Sequence, residues 1–144
     1  MPDNMQQAPI DTVKLYTLQL PSKLESITAL ETLIEEIADK YQVSEDTFGN
    51  MMTCLNEVVN NAIVHGNKLD PNKKVIVNAE VDSKRAIWTI TDEGPGFDYN
   101  HLPDPTAAEN LESLSGRGVF IIKMLADQCV FNTAGNEVEL LFKI

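Results

Sequence analysis

Alternation between apolar and polar positions predicts the first strand. Residues 13–20 place Val13, Leu15, Leu18 and Leu20 at near-alternate positions, which is typical of a half-buried β-strand ended by Pro21. The next segment changes to helical spacing, with a capping box of Ser22 and Glu25 before its apolar positions. Those positions are Ile27, Leu30, Leu33, Ile34, Ile37 and Tyr41.

A second amphipathic helix is predicted to begin at Ser44. Its apolar side follows the 3.6-residue period and comprises Phe48, Met51, Leu55, Val58, Val59, Ala62 and Ile63. We expect it to end near His65 and Gly66, where the glycine would supply a left-handed cap.

The rest of the chain reads mainly as strands. Residues 75–81 and 86–90 alternate around the turn Asp82-Ser83-Lys84, which predicts a hairpin. A long polar loop is predicted over residues 98–115, then a short apolar helix over 119–125. Residues 129–133 and 138–144 read as two last strands. Hairpin-linked strands with helices elsewhere indicate an α+β fold, a largely antiparallel sheet covered by helices on one face.

Length and charge narrow the class of protein. The chain has 144 residues, which suits one compact domain over residues 12–144, and we expect residues 1–11 to be a disordered lead-in. The formal net charge is −11, which argues against binding to nucleic acid or to an anionic membrane through phosphate contacts. Two cysteines without metal spacing, Cys54 and Cys129, are expected to be buried free thiols in a reducing, cytoplasmic compartment.

The second predicted helix carries the first candidate site. Glu57 and Asn61 are four residues apart, so both lie on one helical face. A carboxylate and a carboxamide there can hold a hydrated magnesium ion, and the carboxylate can act as a general base. The alternative is a solvated helix face with an ordinary polar pair.

A second candidate follows the strand of residues 86–90. The segment DEGPGF, residues 92–97, has Gly94 and Gly96 on either side of a proline, so the backbone can turn sharply and approach a flat ligand. Asp92 at the strand end can accept a hydrogen bond from an exocyclic amine such as that of adenine. The alternative is a common strand-end turn.

The third candidate precedes the short apolar helix. Gly116 and Gly118 expose backbone N–H groups at a helix N-terminus, which is an anion site, and Arg117 can add a charge-assisted contact to phosphate. The polar loop before it can close over a ligand as a lid. The alternative is a flexible linker with a solvated arginine.

Together the three segments resemble a known superfamily. Their order and spacing resemble those of the nucleotide-binding motifs of the GHKL, or Bergerat-fold, ATPases. The three segments are NEVVNNA at residues 56–62, DEGPGF at 92–97 and GRG at 116–118. That resemblance implies a mixed, mostly antiparallel sheet under three helices. Within the superfamily, the chain most resembles the stand-alone anti-sigma-factor serine kinases of the RsbW and SpoIIAB type. Its short length and the HG dipeptide at residues 65–66 carry this closer resemblance.

This resemblance implies roles for the candidate residues. Asn61 would ligand Mg²⁺ and Asp92 would read the adenine of ATP in a pocket shaped by Gly94 and Gly96. Gly116, Arg117 and Gly118 would hold the phosphates. Glu57 would orient or deprotonate the serine of a partner protein.

The same resemblance implies the partners. They are an anti-anti-sigma protein of the STAS fold and a sigma factor held by a homodimer of the kinase. Two alternatives stay open at this point: a nucleotide-gated anti-sigma binding module without kinase activity, and a histidine-kinase-type phosphotransfer domain that acts in trans.

Overall fold

The computed structural model of the chain describes residues 12–95 and 114–144, with side chains of the second range described from residue 120 onward. The expected lead-in, Gly96 and most of the predicted loop lie outside these residues. Two short helical turns flank the long helices, a 3-10 turn at Leu24–Ser26 and a π turn at Ala62–Gly66. The main elements are β1 (Lys14–Pro21), α1 (Ile27–Lys40), α2 (Glu45–Asn61), β2 (Lys74–Val81), β3 (Arg85–Thr91), α3 (Leu114–Leu125), β4 (Gln128–Phe131) and β5 (Glu137–Lys143).

One antiparallel sheet joins all the described strands. Their order is β1-β2-β3-β5-β4, and each neighbouring pair runs antiparallel. β5 returns between β3 and β4, with Arg85 opposite Lys143 and Thr91 opposite Glu137. The α+β prediction is therefore confirmed, and the described pairings are all antiparallel.

The core lies between one face of the sheet and the helices. Burial alternates along β2, whose residues 75, 77, 79 and 81 are buried while most of those between them are exposed. The same face of β3 carries Trp88, which is fully buried. Helix residues complete this core, among them Leu30, Ile34, Met51, Leu55, Val59 and Ile122. Burial of these side chains is the main term that holds the helices on the sheet.

The predicted capping box at Ser22 is wrong. The helix begins after the 3-10 turn, and neither helical start there has a side-chain cap. Ser22 is 1% exposed, and its hydroxyl donates to the carbonyl of Lys73 at 2.7 Å. This distant partner competes successfully with the local cap. The second helix, by contrast, begins where predicted: Ser44 is its N-cap, and the Ser44 Oγ accepts from the Thr47 N–H at 3.2 Å.

The end of α2 also differs from the prediction. Gly66 does not adopt the left-handed conformation; in this part of the described chain Lys68 and Leu69 do, with φ of 55° and 59°. The helix widens instead into the π turn, in which the Asn67 N–H donates to the Ala62 carbonyl at 2.8 Å. Glycine is required at position 66 because a Cβ there would collide with the Asp92 carboxylate.

Helix α3 begins earlier than predicted. It starts at Leu114, so residues 114–115 belong to a helix and not to the long loop. Gly116 and Gly118 consequently lie in its first turns instead of preceding it. Within the described residues, none of the helices is both long and apolar enough to cross a bilayer.

Candidate functional site

A cavity of about 110 Å³ opens where the end of α2, the exit of β3, α3 and the β4–β5 turn meet. Its walls are mostly apolar, and its polar groups come from a few side chains. An apolar cleft with few convergent polar groups is the usual form of a small-molecule site. The lining residues are Val58, Asn61, Ala62, His65, Gly66, Ile90, Asp92, Ile122, Phe131, Gly135, Asn136, Glu137 and Val138.

Asn61 lines this cavity and carries an oxygen without a hydrogen-bond partner. It is the last residue of α2, and its Oδ1 is buried without a hydrogen-bond partner among the described residues. A desolvated carbonyl oxygen without a donor is costly, and at a residue that lines a cavity such an oxygen can accept a ligand donor or a cation. Glu57 lies one turn earlier on α2, half-buried, and is not part of the described cavity wall.

Asp92 supplies the carboxylate of the cavity. Burial raises the pKa of this carboxyl, while the Gly94 N–H, which donates to its Oδ1 at 2.7 Å, acts in the opposite direction. Desolvation is the larger of the two effects. The half-buried carboxylate keeps free acceptor capacity, so it can receive an N–H donor from a ligand.

Gly66 and Gly94 allow this placement because neither has a Cβ. A Cβ at position 66 would lie 2.6 Å from the Asp92 Cγ. A Cβ at position 94 would collide with the Gly66 carbonyl. The π turn and the segment after β3 therefore pack backbone against backbone, which brings Asn61 and Asp92 to the same cavity.

Two asparagines that the sequence analysis did not single out hold the exit of β3. Asn136 accepts the Asp92 N–H on its main-chain oxygen at 3.0 Å and donates from Nδ2 to the Asp92 carbonyl at 3.3 Å. Asn67 accepts the Glu93 N–H on Oδ1 at 2.7 Å. Their partners lie 44 and 26 residues away in sequence, so no local pattern could have indicated them.

The third sequence segment reaches the site through its helix. The backbone of residues 116–118 lies in the first turns of α3, and Ile122 of the same helix lines the cavity. Gly96 lies outside the described residues.

Comparison with known proteins agrees with this geometry. Residues 20–142 match the family described as the histidine kinase-like ATPase domain. A serine-protein kinase RsbW of Staphylococcus epidermidis is 25% identical over 132 residues, which cover 86% of this chain and 83% of the relative. An anti-sigma F factor of Geobacillus thermodenitrificans is 27% identical over 123 residues, covering 83% and 84%. The serine-protein kinase RsbW of Bacillus subtilis is 23% identical over 117 residues, covering 77% and 73%.

The family match runs from the end of β1 almost to the end of β5 and so includes every element that forms the cavity. The GHKL resemblance seen in the motifs is thereby confirmed at the level of the family. The chain belongs to the histidine kinase-like ATPase domain family.

Proposed function

We propose that this protein is an ATP-dependent serine-protein kinase and anti-sigma factor. It transfers the γ-phosphate of ATP to a serine of a STAS-type anti-anti-sigma partner. The observation that carries the proposal is that Asn61, whose Oδ1 has no hydrogen-bond partner among the described residues, and the half-buried Asp92 line one cavity. The names of the relatives, serine-protein kinase and anti-sigma F factor, support a serine acceptor and a sigma-factor partner.

The adenine of ATP is bound at the Asp92 end of the cavity. Asp92 accepts a hydrogen bond from the exocyclic amine, and Ile90 and Val138 offer apolar contact to the base. Gly66 and Gly94 pack closely because neither has a Cβ, which holds Asp92 at this end of the cavity, and Gly96 follows in the same sequence segment. The phosphates bind at the start of α3, where the N–H groups of residues 116–118 and the Arg117 guanidinium are donors.

Asn61 fits the role of a magnesium ligand. Within the described part of the chain no three His, Cys, Asp or Glu side chains form a cluster that could hold a metal alone. One amide oxygen suits Mg²⁺, which keeps waters and takes most other ligands from the substrate's phosphates. When bound, the ion neutralises charge on the phosphates and orients them for in-line transfer.

Glu57 acts on the acceptor serine. It lies one turn from Asn61 on α2 and outside the described cavity wall, so an incoming hydroxyl can reach it while the nucleotide fills the cavity. Glu57 takes the hydroxyl proton as the serine oxygen bonds to the γ-phosphorus. The bond between the γ-phosphorus and its bridging oxygen breaks, and ADP leaves.

The test is phosphate transfer to a defined partner. The protein is incubated with ATP, Mg²⁺ and purified STAS-domain proteins, and acid-stable phosphoserine is measured by mass spectrometry. We expect Glu57→Ala to abolish transfer while keeping ATP affinity, and Glu36→Ala, on the exposed side of α1, to change neither. Nucleotide binding without transfer by the wild type would favour the binding-module alternative, and acid-labile phosphohistidine would favour the histidine-kinase alternative.

The anti-sigma activity has a separate test. We propose that a homodimer of this protein holds a sigma factor and releases it to the STAS partner in a nucleotide-dependent way. Co-purification of a sigma factor in ATP, its absence from the STAS-bound form, and a dimer mass in solution are the expected results. A monomer that captures no sigma factor in either nucleotide would contradict this part of the proposal.

A further inference from the structure

Asn67 is a buried polar residue at the junction of three segments. It follows the π turn and is 1% exposed. Its Oδ1 accepts from the Glu93 N–H at 2.7 Å, and its Nδ2 donates to the Ser22 hydroxyl and to the Lys74 carbonyl, each at 3.0 Å. One amide therefore ties the end of α2 to the β1–α1 connection, to the start of β2 and to the exit of β3.

The chemistry of these partners determines how the amide is oriented. The Lys74 carbonyl can only accept and the Glu93 N–H can only donate, so a reversed amide would lose both bonds. The main chain of Asn67 is held as well: its N–H donates to the Ala62 carbonyl at 2.8 Å, and its carbonyl accepts from the Asp70 N–H at 3.0 Å. These hydrogen bonds therefore fix the Asn67 side chain in one orientation.

The bond to the Glu93 N–H acts at the residue between Asp92 and Gly94. Asn136 holds the main chain of Asp92 from the opposite side of this segment. The Glu93 carboxylate also accepts the Lys74 N–H at 2.5 Å, so the segment is joined to β2 by side chain and main chain. Rotation of the peptide after Asp92 would break the bond from the Glu93 N–H to Asn67 and the bond from Asn136 to the Asp92 carbonyl. It would also shift the Gly94 N–H that donates to the Asp92 Oδ1, so the carboxylate would lose the main-chain contact that orients it.

We propose that Asn67 is a positioning residue of the nucleotide site, which sets the direction in which Asp92 presents its carboxylate to the base. It touches no ligand itself and acts through the Glu93 N–H. The inference rests on the proposed function in one respect, that Asp92 recognises the amine of adenine.

The experiment compares affinity for ATP with affinity for ITP, whose base has an oxygen in place of the exocyclic amine. The wild type should prefer ATP by about tenfold or more, the size expected for a hydrogen bond to a charged group. Asp92→Ala should reduce that ratio to about one. Asn67→Ala should reduce it similarly through weaker ATP binding, with ITP affinity nearly unchanged. A loss of stability alone would not change the ratio in the folded protein.

Two further variants separate positioning from general support. Ser22→Ala removes one partner of the same amide but leaves the Glu93 bond, so the ratio should stay at the wild-type value. Asn67→Asp keeps an oxygen that can accept the Glu93 N–H and loses the donor, so stability should fall while the ratio is retained. This variant also carries the test if Asn67→Ala does not fold.

The outcomes are distinct for the two hypotheses. A wild type that shows no preference for ATP, or an Asp92→Ala variant that keeps it, contradicts the proposed adenine contact. Suppose instead that the wild type prefers ATP and that this preference depends on Asp92. If folded Asn67→Ala then keeps the preference, or if Asn67→Asp loses it, only the positioning role of Asn67 is contradicted.

Discussion

The carboxylate of Asp92 lies directly against the Cα of Gly66. A Cβ at position 66 would come within 2.6 Å of the Asp92 Cγ and 2.8 Å of its Oδ1, closer than real Cβ contacts allow. The two residues belong to different motifs, one after α2 and the other after β3. Their contact joins the two motifs at the same cavity.

Gly66→Ala should therefore displace the Asp92 carboxylate. We expect affinity for ATP to fall by about tenfold or more, because the aligned hydrogen bond to the base is lost. Isothermal titration calorimetry of ATP binding measures this change. Gly49→Ala is the matched control, since a Cβ at position 49 of α2 meets nothing within 4 Å.

The control has an expected effect of its own. Position 49 is exposed inside a helix, so alanine should raise the free energy of unfolding by about 0.5–1 kcal/mol and leave ATP affinity unchanged. Equal losses of ATP affinity in the two variants would show that the contact between Gly66 and Asp92 does not determine ATP affinity.

ATP binding should weaken on acidification at a higher pH than an exposed aspartate would cause. Burial raises the pKa of Asp92, and the ionised carboxylate is the form that accepts the adenine amine most strongly. Affinity measured from neutral to acidic pH should decline as the pH approaches this raised pKa. An Asp92→Asn variant should lose this pH dependence.

The same shift has a consequence for stability. Because the folded pKa of Asp92 lies above the unfolded one, its carboxyl stabilises the fold below the unfolded pKa, and this contribution is lost as the pH rises through the folded value. Asp92→Asn should therefore raise Tm at neutral pH by a few degrees, with no gain at strongly acidic pH. A lower Tm for this variant at neutral pH would contradict the desolvation account.

Periodicity in the sequence was sufficient to predict most elements of the fold. Alternation and helical spacing are local signals, and they predicted the strands and the long helices to within a few residues, apart from the start of α3. Asn61 and Asp92 were also candidates, because the first lies on an apolar helix and the second at a strand end. The structure places both at one cavity, while their roles toward ATP stay predictions.

Hydrogen-bond partners that lie far apart along the chain could not be predicted from the sequence. Ser22 looked like a helix cap because Glu25 follows at capping-box spacing, but Asn67 and Lys73, 45 and 51 residues away, are its partners. The insertion of β5 between β3 and β4 likewise depends on pairing between distant segments. Such contacts depend on shape and burial that form only when the chain folds.

Ser22→Ala should destabilise the fold. It removes the donor to the Lys73 carbonyl and the acceptor for the Asn67 Nδ2. Buried polar groups without partners cost about 1–3 kcal/mol, so the free energy of unfolding in urea should fall by about that amount. Thr32→Ala is the control, because its hydroxyl donates to the Thr28 carbonyl on an exposed helix face and its loss should be nearly neutral. Equal effects of the two substitutions would contradict the argument from burial.

Cys54 should be inert in the folded protein. Burial raises its pKa to about 12, and the thiolate is the form that reacts. Cys129 is also a free thiol but only half-buried, short of the full burial expected for both, so Cys129→Ser isolates the Cys54 signal. With a thiol-reactive disulfide reagent at pH 8, this variant should show negligible reaction until denaturant is added. Rapid reaction of the native variant would contradict the burial of Cys54 in the core.

Asn61→Ala should separate function from stability. The Asn61 Oδ1 is buried without a partner among the described residues, and alanine is the better helix former, so Tm should stay equal or rise. Magnesium-dependent ATP affinity should nevertheless be lost, because the variant has no oxygen at this position to bind the ion. Titration with ATP in Mg²⁺ and in EDTA measures that dependence.

Asn56→Ala is the matched control for this separation. The Asn56 Oδ1 is also buried without a described partner, but its Nδ2 donates to Glu31 of α1 at 3.4 Å and the residue does not line the cavity. We expect this variant to keep magnesium-dependent ATP binding. If Asn61→Ala retained that dependence in full, the orphaned oxygen would have to be explained without a metal, and the proposed geometry of the phosphate end of the cavity would be wrong.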